Sequence, residues 1–136
     1  MEQFPFVFPY RVGVADINYG GHVANSAVLN IFQDARIAFF ASLGPYSELD
    51  LGGCGIIMPE AHVYYRNEMF LHDELQVAVR CKDLKRSSFL LEYRIERCGA
   101  VTAEGETPIV CFDYAKRKPC RIPEEFKQKI TESMAA

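Results

Sequence analysis

The chain has 136 residues, 49% of them hydrophobic and 24% charged, with a formal net charge of −3. That length suits a single domain over 1–136, large enough to bury a core without metal or disulfide staples; residues 131–136 are expected to fray as a C-terminal tail. The acidic balance argues against a non-specific nucleic-acid binder, which needs a basic face, but leaves room for a local anion site.

No apolar run approaches the roughly 20 residues that cross a bilayer, and Met1-Glu2-Gln3-Phe4-Pro5 lacks the basic start of a secretory signal. A cytoplasmic protein with no membrane partner is the expectation. The five cysteines, at 54, 81, 98, 111 and 120, are odd in number and scattered, with no C-x-x-C pair. Free, mostly buried thiols are expected rather than a zinc site or disulfide framework.

Residues 6–14 alternate, with Phe6, Phe8, Tyr10, Val12 and Val14 on one face, which predicts a strand with Pro9 near its edge. The loop Asp16-Ile17-Asn18-Tyr19-Gly20-Gly21-His22-Val23-Ala24-Asn25 follows. It leads into a helix that Asn25 or Ser26 can cap and that Gly44-Pro45 stops after Leu43. Polar groups, paired glycines and a histidine thus precede a helix N-terminus, whose unpaired N–H groups can polarise a carbonyl or hold an anion. The helix is apolar except for a narrow stripe around Asn30, Gln33 and Asp34, so other elements should wrap most of it.

Four strand-like segments come next, at 54–65, 73–84, 88–97 and 100–114, with Gly105 and Pro108 as bulge or edge devices. A short amphipathic helix from Pro123 to about Ile130 ends the chain. One strand, one buried helix and four mostly antiparallel strands predict an α+β fold, a curved five-stranded sheet wrapped around a central helix. Open sheet edges favour a homo-oligomer that extends the sheet.

Asp-x-Asn-x-x-Gly-His-Val-x-Asn at 16–25, followed by Asp34-Ala35-Arg36, resembles the hotdog-fold acyl-CoA thioesterases of the 4-hydroxybenzoyl-CoA thioesterase type. Tyr65-Arg66-Asn67-Glu68 leading to His72-Asp73-Glu74-Leu75, the hairpin Lys85-Arg86-Ser87-Ser88-Phe89, Phe112-Asp113 and Arg121-Ile122-Pro123 also fit. The resemblance covers nearly the whole chain. It implies hydrolysis of an acyl-CoA or acyl-carrier thioester to a carboxylate and free thiol, by a homodimer or homotetramer needing neither cofactor nor metal.

In that family a carboxylate four residues before the histidine attacks the thioester or activates water, and N–H groups at the helix start form the oxyanion site. Here the carboxylate position is Asn18, whose amide is neither nucleophile nor base at neutral pH. The resemblance therefore implies that Asn18 orients the attacking water, with Asp16 reaching the same space from two residues earlier. Asp16 has a second reading, as a loop residue that bonds nearby N–H groups. His22 serves as acid or base, or orders the loop. Gly21, Val23, Ala24 and Asn25 are the oxyanion and substrate-binding candidates, Asn25 doubling as a helix cap.

Lys85, Arg86, Ser87 and Ser88 are the candidates for the coenzyme A phosphates, in a groove between subunits. Arg36, on a buried helix, needs an internal ion pair. Glu60 is a second-carboxylate candidate or an exposed strand residue, and His62 and His72 read as ordinary surface positions. The alternative from another class is a non-catalytic acyl-thioester or lipid-binding protein that has lost the usual Asp.

Overall fold

The computed structural model describes Met1 and residues 3–134. Alternation makes Phe6–Arg11 a strand (β1), but it stops three residues short of the expected end, because Gly13 opens a 3₁₀ turn over Val14–Asp16. The helix Asn25–Leu43 (α1) ends where predicted but starts one or two residues early, and Gly44 at φ 154° ends it in a conformation that side chains disfavour. Its cap differs from expectation. Ala24 takes the position and brings no side-chain bond to the first turn.

The segment expected as one strand over 54–65 is two, Gly55–Ile57 (β2) and His62–Tyr65 (β3). Pro59 lies in the break and cannot donate a ladder bond. Then come Glu74–Lys82 (β4), Ser88–Arg97 (β5) and Ala100–Asp113 (β6), and a two-residue strand, Lys118–Pro119 (β7), that the sequence reading did not foresee. The last helix, Glu124–Met134 (α2), runs beyond Ile130 through most of the expected tail, held by Phe126 and Ile130 in the core. Ala135 and Ala136 lie outside the described residues.

All strand pairs are antiparallel. The order is β1-β4-β5-β6, with β2, β3 and β7 all lying along the far side of β6. The inward rows are those the alternation predicts: Leu75, Val77, Val79 and Cys81 on β4, and Phe89, Leu91, Tyr93 and Ile95 on β5, all buried. The β-bulge falls at Ile95/Glu96 rather than at Gly105 or Pro108. Gly105 has another duty, since a Cβ there would collide with the ring of Phe32 on α1.

α1 buries Ala27, Val28, Ile31, Phe32, Ala35, Arg36, Phe39 and Phe40 against the concave face of the sheet. Phe32 stacks on Tyr93 with ring centroids 4.4 Å apart, and α2 closes one end by setting Phe126 edge-on to Phe40 and Tyr46. The wrapping is one-sided, however. Leu29 and Ile37 stay exposed beside Gln33 and Asp34, because one curved sheet covers only one face of a helix.

Arg36 is buried and finds the ion pair it needs. Its Nε donates to Glu48 at 2.7 Å and its Nη1 to the Tyr93 hydroxyl at 3.0 Å. Tyr93 in turn lies 2.7 Å from the Thr107 hydroxyl. A buried guanidinium is tolerable because its donors are satisfied.

Candidate active site at the start of the central helix

The loop between β1 and α1 folds back on itself. Asn18 N–H donates to the His22 carbonyl at 3.1 Å and Ala24 N–H to the Asp16 carbonyl at 2.8 Å, making an isolated bridge between Ile17 and Val23. Gly21 sits at the turn with φ 88° and donates to the Asn18 carbonyl at 3.1 Å. Gly20 is needed for space. A Cβ on it would stand 3.1 Å from Asn18 Oδ1 and 3.6 Å from His22 Nε2, so both side-chain tips gather around it.

Asp16 is buried under this loop. Its Oδ2 accepts from the Tyr10 hydroxyl at 2.8 Å and from Gly13 N–H at 2.9 Å. Burial, with the Asp16 carboxylate alongside, pushes the Tyr10 phenol above its ordinary value, so it remains a protonated donor. His22 Nδ1 lies 3.1 Å from the Val23 carbonyl. A carbonyl only accepts, so that nitrogen carries the hydrogen of this bond.

A second segment, running out of β3, is tied against this loop. Val23 N–H donates to the Met69 carbonyl at 2.8 Å, and the Tyr65 hydroxyl donates to the Asn25 carbonyl at 3.0 Å. Between the two lies a cleft of about 200 Å³, lined by His22, Val23, Asn25 and Val28 on one side and by Tyr65, Arg66, Asn67, Glu68 and Met69 on the other. The cleft opens at the α1 start, where the N–H groups of Asn25 and Ser26 have no intrahelical acceptor.

Of the sequence candidates, His22, Val23 and Asn25 meet in the cleft. Gly21, Val23 and Ala24 spend their N–H groups inside the loop and on Met69, so the free donors are shifted to Asn25 and Ser26. Asn18 Oδ1 accepts from Gly20 N–H at 2.9 Å, beside His22 but at the loop tip. Glu60 is exposed and bonds His62 Nε2 at 3.1 Å, away from the cleft.

The Lys85–Ser88 hairpin lies elsewhere. Ser88 pairs with Val110 and Tyr65 with Ala103, and the seven steps along β6 between them span about 23 Å of extended chain. Among the cleft residues that sequence reasoning missed are Val28, Arg66, Asn67, Glu68 and Met69. Glu68 appeared there only as part of a turn, and no periodicity marks it.

Three of the scattered thiols come together. Cys54, Cys111 and Cys120 are mutual neighbours, Cys120 N–H donating to the Cys111 carbonyl at 3.0 Å. All five cysteines are free, and Cys54, Cys81 and Cys111 are buried. Among the described residues no group of three His, Cys, Asp or Glu side chains is disposed to hold a metal ion.

A curled antiparallel sheet gripping one long helix, with a cleft at the helix start, is the hotdog fold. The chain superposes on a thioesterase from Thermus thermophilus, solved with coenzyme A and Zn, with a TM-score of 0.88 and 29% identity over 100% of this chain and 98% of that one. A gentisyl-coenzyme A thioesterase matches with a TM-score of 0.83 and 25% identity over 92% and 99% of the two chains. A 1,4-dihydroxy-2-naphthoyl-CoA thioesterase from Synechocystis shares the fold, with a TM-score of 0.85 and 20% identity over 93% and 96%. Residues 12–130 match the thioesterase-like superfamily, and the chain belongs to it.

Proposed function

We propose that this protein hydrolyses acyl-CoA thioesters to a carboxylate and free coenzyme A. The observation that carries this reading is the cleft at an uncapped helix start, with His22 at its wall. The thioester carbonyl oxygen sits against the N–H groups of Asn25 and Ser26, whose dipoles stabilise the negative charge it gains in the transition state. Asn18 and His22 order the water side of the loop. Asp16 acts from beneath, holding the loop in shape through Gly13 and Tyr10, and its effect on the attacking water is indirect.

The substrate groove is shared between two copies. A cleft of about 200 Å³ is smaller than the roughly 300–1,000 Å³ of ordinary ligand pockets. The outer edge of β3 pairs with no strand in the described chain. Two-fold pairing of that edge reverses the partner's sheet, so the Val110 end of the partner's β6 lies on the same side as Ala103 here. The basic hairpin Lys85–Ser88 of one copy then reaches the cleft of the other and holds the coenzyme A phosphates. Coenzyme A complexes are described for the Thermus relative and for a Staphylococcus aureus protein of the same fold.

A panel of aliphatic and aromatic acyl-CoAs, followed by thiol release against a protein-only blank, tests the reading. Saturable turnover is the expected result. One feature favours a second reading: the resemblance implies a carboxylate at the position of Asn18. A protein that binds acyl-CoA in calorimetry but releases no thiol is the non-catalytic binder.

A further inference from the structure

We propose that Glu68 supplies the carboxylate that Asn18 cannot, acting as the general base of the hydrolysis; this rests on the hydrolase reading above. Glu68 is the acidic residue among those lining the cleft, on the wall facing His22 and Asn25. The loop carboxylate is committed elsewhere, Asp16 being buried with Oδ2 held by two donors. Among the described residues Glu68 makes no ion pair, whereas its neighbour Arg66 is engaged by Glu104 at 3.2 Å. Glu68 is thus an unspent carboxylate in the same cleft as Asn25 at the helix start.

Its backbone is fixed on both sides, as a positioned catalytic group requires. Upstream, Arg66 N–H and Asn67 N–H both donate to the Thr102 carbonyl, at 2.9 and 3.1 Å, and the Asn67 amide donates to the Val101 carbonyl at 2.7 Å. Downstream, buried Met69 accepts from Val23 N–H through its carbonyl, and its sulfur accepts from the Thr102 hydroxyl at 3.1 Å. These bonds hold the segment against β6 and the loop, while the Glu68 side chain stays free in the cleft.

In the step, Glu68 takes one proton from water as the water oxygen bonds to the thioester carbon. The carbonyl electron pair moves onto oxygen, facing Asn25 and Ser26. Collapse of the tetrahedral species breaks the C–S bond, and the leaving thiolate recovers the proton from the Glu68 carboxylic acid. The products are a carboxylic acid, which ionises to solvent, and a thiol, with Glu68 reset.

The test is steady-state and pH-dependent kinetics of Glu68→Gln and Glu68→Asp beside wild type on the best acyl-CoA of the panel. Glu68→Gln is expected to lower kcat by about 100-fold or more, with KM within about threefold, and to abolish the acidic limb of the kcat profile. Glu68→Asp should keep that limb and recover part of the rate. The thermal midpoint should not move, since the side chain is exposed. A Glu68→Gln kcat within about threefold of wild type, or an acidic limb that survives in it, overturns the assignment while leaving the hydrolase reading intact. A wild type that turns over no acyl-CoA overturns both.

Discussion

A Cβ at Gly105 would collide with the ring of Phe32 and stand 2.8 Å from the His62 carbonyl oxygen. Neither neighbour yields easily, one being stacked on Tyr93 and the other part of the β3 ladder. Gly105→Ala should therefore destabilise the fold by about 1–3 kcal/mol, as overpacking does, read as a lower urea midpoint with an unchanged slope. Tyr93→Phe tests the buried polar chain. It removes the hydroxyl that Arg36 and Thr107 share, and leaving those groups short of a partner should cost about 1–3 kcal/mol. The thiols make a third case at this scale. Burial pushes Cys111 up to about 11 and Cys81 up to about 12. The folded state keeps protons there that the unfolded chain sheds above about pH 9. These thiols' contribution is thus whole below about pH 9 and declines as pH rises through that window. At about pH 8 a thiol reagent should label exposed Cys98 quickly, while Cys54, Cys81 and Cys111 react on the timescale of unfolding, measurable by mass spectrometry.

Two elements divide the work of the proposed site. The α1 start offers N–H donors because Ala24, unlike a Ser or Asp, caps nothing. Ala24→Asp would place a carboxylate oxygen over those donors and stabilise the helix by about 1 kcal/mol, while blocking the oxyanion position. The expected outcome is a higher melting temperature with a kcat lowered at least tenfold; a kcat left intact would remove the helix start from the mechanism. The β4–β5 hairpin acts through charge alone. Arg86→Glu should raise KM for acyl-CoA about tenfold and leave kcat little changed. An acyl-pantetheine substrate, which lacks the nucleotide phosphates, should be handled alike by both forms.

Among the described residues, open apolar surfaces include the free edge of β3 with Met58, Tyr64 and Tyr65 exposed, and the outer face of α1 with Leu29 and Ile37. No helix among the described residues is long and apolar enough to cross a membrane. In the proposed dimer a second copy along β3 would cover the edge and bring its basic hairpin to the cleft. Sedimentation equilibrium should give at least twice the 15.4 kDa chain mass, and Met58→Lys should shift the population towards monomer and reduce turnover in step. A monomer with full activity would exclude the shared groove.

The fold was legible in the sequence because it is written in periodicity. Alternation in β4 and β5, continuous hydrophobicity in α1 and the Gly44-Pro45 stop each depend on neighbours along the chain, and each appears where the pattern placed it. The site was legible only in part. The loop announced itself through Asp16–Asn25, but which of its N–H groups are free depends on how it folds back on itself, and those of Gly21, Val23 and Ala24 are occupied. Glu68 and Asn67 stood in a family-like turn with nothing to mark them as site residues, since they enter the cleft only because Met69 is bonded to Val23, 46 residues away. The sequence by itself determined the three long strands, the central helix and the family, all consequences of short-range pattern and composition. Tertiary structure decided which carboxylate is buried and which is free. Burial and hydrogen-bond partnership are set by contacts between segments distant in sequence, which no periodicity encodes.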